Sequence, residues 1–387
     1  ITSSPYSAQL YRAFGSTVPL YAYYDYFNFL PYYAFLEETE KLMETDPASV
    51  EKKLEQIQQF FHNRAGAISV YAGSREGISS NTALAENFLS RLEDIPQAPV
   101  SYGFDSPARN EALIVDSTVQ YNSIVTDFAG MGLEDYTADL DAVSSLISDV
   151  YLLPMLREQY GVYTPMHGFV DDAGAYLVSY RDPNIRETFG VYDALPDFLS
   201  SFSIDQDTLD GYILSSYSGY AMPEGELSGA ISAISSYLVG EPDDLKLQYM
   251  RELKALDPDR VSALADAYAS MMENGIRLTA GGASAINRNA DLYDAILNPF
   301  GTVDTSAVEI SDVPEGSEHY DAVRFVFENG LMPLQSEALF GAESPATLGD
   351  LAGALYALLG GDASVPEEAV AVLSENGLLP PESAVSE

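Results

Sequence analysis

Between Thr137 and Glu158 the apolar side chains fall at Leu140, Val143, Leu146, Ile147, Val150 and Leu153. Steps of three and four gather those positions onto one face only if the segment is helical. Pro154 lies inside the pattern, lacks an N–H and crowds the preceding turn, so a kink or a split-off last turn is expected there. Before this helix, Glu111 to Phe128 is rich in β-branched and aromatic residues and is broken by Asp116-Ser117, which predicts a hairpin. After it, Gly174 to Tyr180 reads as a strand, and Asp182-Pro183 opens a further helix with a capping carboxylate and a proline at its first position. Helical periods return over 207–217, 229–238, 246–256 and 258–272. Strands segregated from amphipathic helices give an α+β fold.

The chain has 387 residues. At roughly 100 to 200 residues per domain that is two or three globular units. The first spans 1–95: a helical run from Glu37 to Phe61 broken at Asp46-Pro47, a short strand at 67–73, and a helix from Asn81 to Leu92. Pro96 to Pro99 is the expected linker into a second unit over 100–300. A third unit, 307–387, follows a linker at 298–306. It is expected to be helical, with helices at Tyr320–Asn329 and Leu348–Leu359 ended by Gly330 and by Gly360-Gly361.

Charge and composition exclude several function classes. Eighteen basic residues face 59 acidic ones, a formal charge of -41, so phosphate backbones and anionic headgroups are repelled and nucleic acid is not an expected partner. The same field favours basic peptides as ligands, and it equally serves solubility at high concentration or in salt. With no cysteine there is neither a disulfide framework nor a thiolate metal site. No apolar stretch approaches the about 18 residues of a membrane span. Because the chain starts at Ile1, without a signal pattern, it reads as an internal or processed fragment with any export signal upstream.

The run Leu156-Arg157-Glu158, the Gly161-Val162-Tyr163 that follows, and the strand into Ser179-Tyr180-Arg181-Asp182-Pro183-Asn184 with Thr188 beyond it resemble, in order and spacing, the presequence-protease branch of the pitrilysin (insulinase) family of zinc metallopeptidases. Phe60 to Ile68 adds a weaker similarity, and the resemblance covers about the first 300 residues. It implies pitrilysin-type domains, an antiparallel-rich sheet with packed helices, in a four-domain enzyme whose halves enclose a chamber. Residues 1–95 would end the third domain and 100–300 form the fourth. The zinc would belong to the other, N-terminal half, which is either part of the same protein or a separate subunit. Arg157 would bind the backbone of a peptide substrate, and Tyr163 would bind it too and stabilise the oxyanion. Without the resemblance, Arg157 is a helix C-terminal cation complementing the dipole and Tyr163 a strand tyrosine. Arg181 and Asp182 are read as structural, capping the next helix with a local ion pair.

Asp312-Val313-Pro314, Tyr320 to Val323, Glu328 to Met332, Phe340 and Thr347 resemble an S-layer homology module, which implies cell-wall polysaccharide as a partner and a bacterial surface or extracellular location. The segment Thr347-Leu348-Gly349-Asp350 departs from that pattern by lacking its basic residue.

An inverted zincin requires H-x-x-E-H on a helix. The histidines are His62, His167 and His319, and the nearest approach, Glu315 to His319, has Glu in the first position and a glycine within it. Each is read as an ordinary packed or surface residue, and no metal is expected in this chain. Asp205 to Gly211 has the carboxylates of a calcium loop but Leu at the fifth position, and reads as an acidic helix start. The expected function is the substrate-binding, non-metal half of a zinc endopeptidase for short unstructured peptides. The alternative is an inactive peptide-binding or scaffold protein of the same fold.

Overall fold

A computed structural model describes residues 4–96, 100–301, 308–328, 331–335, 338–358, 366–376 and 378. The chain divides into two compact units. One comprises Ile1–Glu111, Tyr121–Asp182 and Arg186–Leu278, the other Ala112–Gln120, Pro183–Ile185 and Thr279–Glu387. The α+β class is as expected from the sequence, with six strands and many helices among the described residues.

In the first unit, α1 (Pro5–Phe14), α2 (Pro19–Asn28), α3 (Leu30–Thr45) and α4 (Pro47–Phe61) each carry proline in the first two positions, where its missing N–H has no intrahelical partner to lose. The break at Asp46 is as the sequence predicted, and the Asp46 carboxylate accepts the Ser49 N–H at 3.3 Å. Ala13 and Phe14 of α1 join Val125, Ala173 and Leu278 in a core cluster. α3, α4 and α5 (Ile78–Leu89) bury no residue, and Phe35, Leu54, Phe60, Phe61, Leu84 and Phe88 are exposed.

The expected strand at 67–73 is absent: those residues are exposed coil. β-branched residues favour a strand only where a neighbouring strand completes the ladder, and among the described residues the only pairing nearby is an isolated bridge between Asn63 and Glu93. The Asn63 side chain closes that loop by donating to Ile95 O at 2.7 Å and accepting its N–H at 2.9 Å.

The strands are β1 (Asn110–Ile114), β2 (Gln120–Thr126), β3 (Thr164–Val170), β4 (Gly174–Asp182), β5 (Ile276–Gly281) and β6 (Ala295–Leu297). The first unit carries the order β3-β4-β2-β5. Every residue of β2 is buried, as befits a strand covered on both faces. β3 and β4 form an antiparallel hairpin in register Thr164↔Tyr180 through Val170↔Gly174. Gly174 has φ 137°, and a Cβ there would stand 2.1 Å from the Thr126 carbonyl oxygen, so only glycine fits that turn.

The predicted amphipathic helix forms as α6 (Asp139–Ile147), which continues as a wide, π-type helix over Ser148–Gln159. The predicted apolar face is the buried one, with Leu140, Val143, Leu146 and Ile147 fully covered. Pro154 lies within the wide segment, so the widening begins a turn and a half earlier than the expected kink.

In the second unit the strand order is β5-β1-β6. The hairpin expected at Asp116-Ser117 does not join β1 to β2: β1 pairs with β5, and Val115 just beyond it donates to Gly281 O at 2.9 Å. Ser117 turns the connection by itself, its hydroxyl donating to Val119 O at 2.7 Å. Farther on, Ile310, Val313 and Val323 form one small core, and Ala352, Ala369, Val370 and Leu373 another. The helices are Tyr320–Glu328, Leu348–Leu358 and Pro366–Glu375. The linker residues 97–99 and 302–306 and the terminal glycines Gly330, Gly360 and Gly361 lie outside the described residues.

Candidate substrate-binding site

The wide helix ends on a six-residue turn. Val162 N–H donates to the Leu156 carbonyl at 3.0 Å, and Gly161 between them takes the left-handed φ of 74°. Such a turn closes the helix C-terminus and needs a residue without a Cβ penalty. Arg157 follows Leu156 and Tyr163 follows Val162, so one hydrogen bond brings their two backbones together. Tyr163 N–H then donates to Arg181 O at 3.3 Å, which extends the β3–β4 register by one pair and sets Arg181 opposite Tyr163.

Arg157 and Tyr163 are both exposed, Tyr163 at 60%. Arg157 has no hydrogen-bond or ion-pair partner among the described residues, and its guanidinium is free to meet a ligand. The rings of Tyr163 and Tyr180 lie 6.3 Å apart, and Tyr180 packs edge-on to Tyr6 at 5.4 Å and Tyr121 at 5.3 Å. An aromatic floor therefore supports the phenol.

Arg181 and Asp182 part company. Arg181, with φ 52°, is the only non-glycine at positive φ among the described residues. Its guanidinium sits 5.7 Å from the Tyr180 ring centroid. Alternation along β4 accounts for the split: Asp182 points inward and is fully buried. One Asp182 oxygen accepts from Asn122 Nδ2 at 2.8 Å and from Thr188 Oγ1 at 2.6 Å. Asn122 also donates to Ser179 Oγ at 3.1 Å. Thr188 lies in the first turn of the helix Arg186–Asp193, so Asp182 ties that helix to β2 and β4 through side chains. The helix begins at Arg186 and not at Pro183. Asn122 was not singled out by the sequence; a polar residue inside an otherwise β-rich run is the signal that could have found it.

The histidines sit apart from this site. His167 Nδ1 lies 2.8 Å from Tyr176 O and must donate to it, leaving Nε2 to accept from the Tyr268 hydroxyl at 2.5 Å. Desolvation lowers its pKa from 6.5 to about 4. His62 and His319 are exposed. Among the described residues, no three His, Cys, Asp or Glu side chains are grouped so as to hold a metal ion.

In the second unit, the Asp312 carboxylate accepts the N–H groups of Phe340, Gly341 and Ala342 at 2.8, 2.7 and 2.9 Å, which lower its pKa. Thr347 and Asp350 form a capping box: Thr347 N and Oγ1 donate to Asp350 at 2.7 Å each, and Asp350 N donates back to Thr347 Oγ1 at 3.2 Å. The segment that departs from the S-layer pattern is here the start of a helix.

The chain is similar in sequence to "Protein HypA" of Clostridium perfringens, 26% identical over 276 residues that cover 71% of this chain and 28% of the relative. It is also 25% identical over 263 residues to presequence protease 1, chloroplastic/mitochondrial, of Arabidopsis thaliana, covering 67% of this chain and 24% of that protein. It thus spans about a quarter of the length of these relatives. No protein-family model matches the chain. Among solved structures, pitrilysin aligns with TM-score 0.42 and 12% identity over 58% of this chain and 25% of that one. The peptidase M16 inactive domain from Pseudomonas fluorescens aligns with TM-score 0.37 and 16% identity over 54% of this chain and 52% of that one.

Proposed function

We propose that this chain is the substrate-binding, non-metal half of a zinc metalloendopeptidase that degrades short unstructured peptides in a closed chamber. The observation that carries the reading is the pairing of an exposed, unpartnered Arg157 with an exposed Tyr163 across one backbone hydrogen bond, in a chain similar to a presequence protease. In this reading Arg157 holds the peptide backbone through its fork of N–H donors. Tyr163 donates its O–H to the oxygen that becomes negative as the scissile carbonyl is attacked. Residues 1–95 then close a third domain, 100–300 form the fourth, and 307–387 follow as a separate module.

The zinc is assigned to a partner half. The described side chains of this chain do not fit it: His167 has both ring nitrogens committed, and no donor cluster is present among them. No step is therefore routed through a metal here. The large apolar side chains left exposed on α3, α4 and α5 support the partner half, since a protein interface is what would cover them. The reading places the protein outside a bacterial cell or on its surface. Wall polysaccharide as a ligand of residues 307–387 belongs to the same proposal.

The test is a peptide-cleavage assay of this chain with zinc alone and of the full-length protein containing it. Cleavage is expected only from the latter. Robust turnover by this chain with zinc would overturn the division of labour, and a full-length protein that binds but never cleaves peptide would identify a scaffold.

A further inference from the structure

Arg181 is exposed, yet its backbone is held at φ 52°, in the left-handed region where a side chain costs energy and glycine does not. It is held there from both sides. Tyr163 N–H donates to the Arg181 carbonyl at 3.3 Å, and the next residue, Asp182, is fixed in the interior by its bonds to Asn122 and Thr188. Glycine would make the same turn without strain, so the backbone gives no reason for an arginine here, and the side chain is what the strain serves. The Arg181 guanidinium stands 5.7 Å from the centroid of the Tyr180 ring, which Tyr6 and Tyr121 fix edge-on. A guanidinium resting on an aromatic face is located by it, while the N–H donors on its edge stay open.

We propose that Arg181 is a specificity-determining residue of the candidate site and binds a carboxylate of the peptide, on an Asp or Glu side chain or at the C-terminus. The inference rests on the reading of Arg157 and Tyr163 as the peptide-binding pair. The Tyr163 ring centroid lies 6.3 Å from that of Tyr180. Tyr163 and the Arg181 guanidinium are therefore no more than about 12 Å apart, three or four residues of an extended chain. The planar fork of an arginine meets a carboxylate with two parallel N–H···O bonds. Elsewhere in this chain, where 59 acidic residues face 18 basic ones, Arg12, Arg64, Arg260, Arg277 and Arg324 each hold a carboxylate of the protein itself. Arg181 is set on a ring instead. A formal charge of -41 repels a peptide carboxylate from the surface at large, so a cation held at this spacing discriminates by position.

The test uses the full-length protein containing this chain and measures both equilibrium binding and turnover. The probes are short unstructured peptides identical except for Glu or Gln at one scanned position, each with a free or an amidated C-terminus. At the favoured position the Glu peptide is expected to bind roughly tenfold tighter than the Gln peptide. A gain from the free C-terminus in its place assigns the terminal carboxylate. Arg181→Gly adopts φ 52° freely, so it keeps the fold, and it is expected to bring the ratio of affinities close to one, as is Arg181→Ala. In turnover the preference is expected in KM rather than in kcat. No preference for a carboxylate, or a preference that survives both variants, would overturn the inference. Cleavage without preference leaves the proposed function standing while this inference falls. A preference that depends on Arg181 without any cleavage does the reverse, and no binding of any peptide ends both.

Discussion

The carbonyl of Leu156 accepts the N–H of Val162 at 3.0 Å, and this single bond makes neighbours of Arg157 and Tyr163, six residues apart in sequence. The candidate site therefore rests on a turn, and the turn rests on Gly161.

Gly161→Ala tests that dependence. A Cβ at φ 74° costs roughly 1 to 2 kcal/mol in the left-handed region. Denaturant unfolding should show a loss of that order. Peptide affinity of the full-length protein should fall as well, because the Arg157–Tyr163 spacing changes. An unchanged midpoint would mean that the turn tolerates a side chain.

Asp182→Ala separates the structural residue from the exposed ones. It takes the carboxylate acceptor from the buried Thr188 Oγ1 and from one of the two N–H groups of Asn122 Nδ2, a loss of roughly 1 to 3 kcal/mol for each donor affected. Arg181→Ala, by contrast, removes only a guanidinium resting on Tyr180 and should cost under about 1 kcal/mol. Thermal unfolding of the two variants should differ widely, and similar losses would contradict the assignment.

Two desolvated groups set opposing pH dependences. His167 has its folded pKa lowered to about 4 from an ordinary 6.5, so its contribution to stability is complete above 6.5 and is lost as pH falls through about 4. Asp25 has its folded pKa raised by burial to about 6 from 3.8, so its contribution is present below 3.8 and is lost as pH rises through about 6. Asp25→Asn should therefore raise the melting temperature at pH 7.5 relative to the parent chain and leave a smaller difference at pH 4. The opposite ordering would show that Arg12 outweighs the desolvation of Asp25.

Local patterns made much of this fold legible in sequence. The period of Leu140, Val143, Leu146 and Ile147 gave the buried face of α6, and Asp46-Pro47 gave the break between α3 and α4. What escaped was non-local. Residues 67–73 carry strand-forming side chains but no partner, and β1 finds β5 in place of its sequence neighbour β2. β5 and β6 were not foreseen, since strands of six and three residues leave too little period to read. The helix expected over 258–272 is two, Pro258–Ala263 and Ala265–Asn274, with the joint at Leu264. At the site, Arg157 and Tyr163 were legible through their resemblance to a family, while Asn122 was not, because its partners Ser179 and Asp182 lie far along the chain.

Turnover of a short unstructured peptide by the full-length protein carrying Tyr163→Phe tests the central claim most directly. Tyr163 is exposed, so the variant folds as the parent does, and it loses only the phenolic donor. Removing one oxyanion donor lowers kcat by roughly 100- to 1,000-fold with KM little changed. A kcat equal to that of the parent protein would contradict the account.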